Sequence, residues 1–104
     1  MPELRRHDRV PLEAHVEVIV NGSGEPVRGI AKDISVGGMQ LRTERNLDFG
    51  AEILIHVTLP GQRASIALPA VVRWVRGELL GAQFGLLGAR ETHAITELLT
   101  KGRP

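Results

Sequence analysis

The chain has 104 residues, 42% hydrophobic and 24% charged, a length and composition that predict one globular domain with one core. A formal net charge of +1 argues against a general polyanion binder, and the absence of cysteine excludes disulfide staples and thiolate zinc sites. The polar stretch Met1 to Arg9 lacks the apolar run of a signal peptide, and no segment approaches the roughly 18 apolar residues of a membrane span, so the expected location is the cytoplasm, without membrane insertion.

In chain order, charge is uneven first at Arg5-Arg6-His7-Asp8-Arg9, with Glu3 and Asp8 as partial offsets. Val16, Val18 and Val20 then alternate with His15, Glu17 and Ile19, a period of two that predicts a strand with its valines on a core. Asn21-Gly22-Ser23-Gly24 predicts a turn. A second strand is expected from Val27 to Ser35, broken by Gly37-Gly38, and Met39 to Thr43 alternates again before a loop over Asn46 to Gly50. Ile53, Ile55, Val57 and Leu59 give the clearest alternation, ended by Pro60-Gly61. Ala64 to Arg76 is long and apolar, with Pro69 marking an edge, bend or bulge because proline cannot donate to a ladder. Gly77-Glu78 turns into a last strand carrying Leu80, Ala82 and Phe84. Ile95, Leu98 and Leu99 sit at helical i, i+3, i+4 spacing, and Gly102 is a plausible stop. Short strands at even spacing predict an all-β barrel or sandwich, and closure would remove exposed edges. The expected organisation is a single domain: an arginine arm over 1–9, a small closed antiparallel β-barrel of about six strands over 10–87, and one C-terminal α-helix over 89–101 lying on the barrel or plugging one end.

Two clusters carry chemistry. Arg5 and Arg9 form an Arg-x-x-x-Arg spacing just before the first strand. Guanidinium groups grip phosphate oxygens in pairs and stack on aromatic faces, although an arginine cluster alone reads more simply as a solvated basic tail. The second cluster is Asp33-Ile34-Ser35-Val36-Gly37-Gly38. Asp33 and Ser35, two apart at a strand end, are expected on one face with Ile34 pointing into the core. Asp33 can accept from the N1–H and amino donors of a guanine edge, and Ser35 can donate or accept. Gly38 permits close approach or a positive φ. Alone, this cluster too reads as a polar strand end entering a turn.

Together, in this order and spacing, the two clusters resemble the PilZ domain family, whose two motifs form a cyclic di-GMP site. Val10-Pro11-Leu12, Val71-Val72-Arg73-Trp74-Val75 and Leu80-Gly81-Ala82-Gln83-Phe84 extend the resemblance over nearly the whole chain. It implies that Arg5 and Arg9 bind phosphates and stack on guanine, with Arg6 as an additional cation. It implies that Asp33 and Ser35 contact the second guanine and its ribose-phosphate edge, and that Gly37 and Gly38 shape the turn beneath. Trp74, the one tryptophan, has a counterpart in some relatives, where it could stack on a base. Its parity with Val72 and Ala70 points to the core instead, and because Pro69 can shift that register, both readings stay open. The residue before the first motif arginine is Leu4, which can neither stack on nor pair with a second ligand molecule; Arg6 adds a nearby cation that could substitute, and the balance leans modestly towards one ligand per chain.

The histidines His7, His15, His56 and His93 have no metal-ligand spacing, no glycine-rich loop opens a helix, and no serine or carboxylate pair suggests catalysis. The expected function is therefore not enzymatic. The chain reads as a cyclic di-GMP receptor without cofactor or metal, whose arm is ordered by the ligand and read by a separate effector protein. The alternative is an adaptor of the same fold working by protein contact without nucleotide. A single-strand nucleic-acid binder would need more exposed aromatics than 3% of residues supply.

Overall fold

Alternation sends every second side chain of a strand to one face, and six such segments bury their apolar faces by curling around a common interior. The computed structural model describes residues 9–101. Its strands are β1 (Val10–Val20), β2 (Ser23–Ile34), β3 (Gly38–Thr43), β4 (Glu52–Val57), β5 (Ile66–Arg76) and β6 (Leu79–Phe84), followed by helix α1 (Ala89–Lys101). They form a closed barrel in the order β1-β2-β3-β6-β5-β4, with every pairing antiparallel. The fold class read from the sequence is the one observed. The arm expected over 1–9 lies, apart from Arg9, outside the described residues.

The core is aliphatic. Val16 and Val18 of β1, Ile53, Ile55 and Val57 of β4, and Leu68, Ala70 and Val72 of β5 meet Val27, Ala31, Met39, Leu41, Leu80 and Ala82 inside. Val20 is only half-buried, because a register irregularity between Val18 and Val20 precedes the hairpin. Asn21 (φ 52°) and Gly22 (φ 78°) make a two-residue turn with left-handed backbone at both positions, so Ser23 already pairs with Val20. β2 thus begins ahead of the expected Val27. The polar stretch before Val27 hides a strand that main-chain pairing alone creates.

The connection from β3 to β4 passes β6 and β5 in the barrel order, and Leu47 is buried within it. Gly50 N–H donates to Val72 O and Val72 N–H to Ala51 O, which ties this loop to β5. Pro69 sits where β6 ends: Ala70 faces Phe84, and the Pro69 carbonyl accepts from Gly85 N–H. A residue's N and O point to the same side of an antiparallel strand, so the missing N–H faces Gly85, one residue beyond β6, and costs no bond within β6 itself. The helix packs on β5 through Ala94 and Ile95, both buried, with Leu98 and Leu99 half-buried. Gln62 Nε2 donates to Oε1 of the half-buried Glu97 at 3.1 Å and ties the helix to the turn after Leu59. Among the described residues no helix is long and apolar enough to cross a membrane.

Candidate functional site

Two bulges decide what the barrel shows to solvent. On β2, Ala31 pairs with Leu41 but Asp33 with Gln40, leaving Lys32 as an extra residue against β3. Ala31 and Ile34 are therefore both fully buried although three apart, and Asp33 turns outward. Lys32 Nζ meets both Glu13 carboxylate oxygens at 3.1 Å, and Glu13 lies where β1 is irregular against the same place. On β5, Val72 pairs with Ala82 but Trp74 with Gly81, leaving Arg73 as the extra residue. Arg73 Nε donates to Gln83 Oε1 at 2.7 Å across the irregularity.

The β5 bulge settles the Trp74 ambiguity. Parity with Val72 would bury the indole, yet Val72 is 0% exposed and Trp74 39%. The register shift falls at Arg73 and not at Pro69. The Arg76 guanidinium carbon stands 5.8 Å from the indole centroid, within cation–π range.

Pairing then strings the outward positions into one lateral row. Pro11 faces Asp33, Asp33 faces Gln40, Gln40 faces Gly81, and Gly81 faces Trp74. At ~4.8 Å per strand, Asp33 and Trp74 stand about 14 Å apart along the sheet. Arg9 closes the near end, its Nη1 donating to Asp33 Oδ1 at 2.5 Å. The arginine side chain is 49% exposed and the carboxylate 22%. Exposed ion pairs are worth ~0–1 kcal/mol, so a ligand bringing stronger partners can rearrange this one at little cost.

The remaining residues of the second cluster divide their tasks. Ile34 enters the core as expected. Ser35 does not share the open face of Asp33: it is 3% exposed, because β2 ends at Ile34 and the chain turns there. Its Oγ accepts from Gly37 N–H at 3.3 Å and donates to Gly38 O at 3.4 Å, while its N–H donates to the same carbonyl at 2.8 Å. Gly37 faces open space, and its carbonyl accepts from Phe84 N–H at 2.9 Å. Gly38 is required by close approach, not by a positive φ: a Cβ there would collide with Ala82 O on β6. Arg5 and Arg6 lie outside the described residues.

Gln40 and Gly81 belong to the row but were not singled out in the sequence. Only register reveals them, since neither has a motif of its own. Among the described residues, no group of three or more His, Asp or Glu could hold a metal ion.

The family model for the PilZ domain matches residues 3–101. No curated protein matches significantly. Solved structures that share the fold include the following three. The PilZ domain of CeSA from a cellulose-synthesizing bacterium is 20% identical, with a TM-score of 0.70 over 89% of this chain and 95% of that one. The inhibitor of motility MotI/DgrA of Bacillus subtilis is 19% identical, with a TM-score of 0.78 over 96% of this chain but 51% of its own. The PilZ domain of YcgR from Escherichia coli, solved with c-di-GMP, is 16% identical, with a TM-score of 0.73 over 95% of this chain and 91% of that one.

Proposed function

Because the chain belongs to the PilZ domain family, we propose that it is a cytoplasmic receptor for cyclic di-GMP, a binding module and not an enzyme. One observation carries the reading. Arg9 of the first motif and Asp33 of the second, far apart in sequence, meet at 2.5 Å on the outer face of the barrel. A cation for phosphate beside a carboxylate for a guanine edge is the donor–acceptor pattern of that ligand. The YcgR domain solved with c-di-GMP has the same fold and supports the assignment.

In this mechanism Arg9 exchanges its exposed contact with Asp33 for ligand phosphate, and Arg5 and Arg6 join it. Asp33, released in part, accepts from guanine N1–H and the 2-amino group. Trp74 offers a ring face at the far end of the row. Ser35, Gly37 and Gly38 act beneath the ligand by holding the turn that carries Asp33. Ligand contacts order the arm over 1–9, and a separate effector protein reads the ordered surface, an order change coupled to binding.

Calorimetry with cyclic di-GMP tests this, with cyclic di-AMP and GTP as controls. Saturable heat with cyclic di-GMP is expected. Cyclic di-AMP should bind far more weakly, because adenine lacks the N1–H and 2-amino donors and would leave polar groups of the site unpaired. No heat at ligand concentrations well above that of the protein would overturn the receptor reading. It would favour an adaptor that works by protein contact alone.

A further inference from the structure

The position opposite Trp74 on β6 is Gly81, between Leu80 and Ala82, whose side chains are both buried. A side chain at Gly81 would therefore point out of the barrel. That space is occupied. The three nearest atoms to a Cβ built on Gly81 all belong to the Trp74 indole: Nε1, Cε2 and, at 2.7 Å, Cδ1. The ring lies flat on bare backbone, which explains how Gly81 is itself buried on the outside of the sheet. The Arg76 guanidinium carbon, 5.8 Å from the indole centroid, is a second neighbour of the ring.

We infer that Gly81 is a positioning residue for ligand binding: by lacking a side chain it seats the Trp74 ring flat at the end of the Asp33–Gln40 row, as a preset platform for a ligand base. The affinity part of this inference rests on the receptor reading above. The seat itself does not. A preset ring loses little rotational freedom on binding, whereas a displaced ring must be re-ordered or is lost to the ligand.

Trp74 is the one tryptophan, so indole emission and acrylamide quenching report on its seat directly. The variants are Gly81→Ala, Trp74→Ala and the double variant, all read by far-UV circular dichroism and cyclic di-GMP calorimetry, with indole emission comparing Gly81→Ala with the unaltered chain. Gly81→Ala should keep the barrel spectrum, expose the indole to quencher and weaken binding. Base–aromatic stacking is worth ~1–3 kcal/mol, so the loss should be roughly 5- to 150-fold and should match that of Trp74→Ala. The double variant should bind no worse than Trp74→Ala, since the methyl acts only through the ring. Unchanged emission and affinity in Gly81→Ala would overturn the inference, as would additive losses in the double variant. If Gly81→Ala misfolds, the double variant decides. Recovery of the fold on removing the indole supports the seat, and a persisting defect overturns it. If the unaltered chain binds no cyclic di-GMP, the receptor reading and the platform role fail together. The quenching difference between the unaltered chain and Gly81→Ala then supports or overturns the seat alone.

Discussion

Arg9 and Asp33 are exposed enough that their mutual contact contributes little to folding, which separates their two effects. Arg9→Ala and Asp33→Ala should each leave the melting temperature nearly unchanged. Each should also lose a charge-assisted hydrogen bond to ligand worth ~1.5–3 kcal/mol, more than tenfold in affinity by calorimetry. Unchanged affinity in Asp33→Ala would show that guanine is not read there. Gly38 and Ser35 should behave in the opposite way. Gly38→Ala forces a methyl onto the Ala82 carbonyl, and Ser35→Ala removes hydrogen bonds inside the turn. Both should lower the denaturation midpoint, the serine change by about 0.5–1.5 kcal/mol. Any loss of affinity would then follow the loss of the turn.

At the scale of elements, the two outward side chains at the core of the site, Asp33 and Trp74, both follow irregularities of their strands. β2 and β5 each hold one unmatched residue against a neighbour, Lys32 and Arg73, and immediately after each an outward side chain enters the row. A bulge is the means by which a strand buries one residue and exposes another at the same parity. Asp33 with Ala31, and Trp74 with Val72, are those pairs. The helix is held differently, by Ile95 at 1% exposure on β5. Ile95→Ala should cost ~2–5 kcal/mol in urea denaturation, as large-to-small changes at buried aliphatic positions do. Because no residue of α1 belongs to the Asp33–Trp74 row, affinity for cyclic di-GMP should survive in the fraction that stays folded.

For the whole molecule, closure of the barrel lets one ligand act on all of it. A ligand that binds only the folded chain stabilises it by about 2.7 kcal/mol at a hundred times its dissociation constant. For a domain of this size that raises the melting temperature by roughly 10 °C or more. A thermal scan with cyclic di-GMP should show this rise, and Asp33→Ala should abolish most of it. Saturation is expected at one ligand per chain, because Leu4 cannot engage a second molecule; two per chain by calorimetry would refute that argument and leave binding intact. The sequence by itself determined the barrel, the helix and both motif clusters. Period-two alternation in Ile53–Leu59 and helical spacing at Ile95–Leu99 are local signals, and the chain writes them within a few residues. Tertiary structure alone decided that β2 starts at Ser23, that Ser35 turns inward, that Trp74 faces out, and that Gln40 and Gly81 complete the row. The start at Ser23 follows from the tight hairpin at Asn21-Gly22, and the inward Ser35 from the end of β2 at Ile34. The facing of Trp74 and the row through Gln40 and Gly81 depend on register between paired strands, where one unmatched residue reverses the parity beyond it.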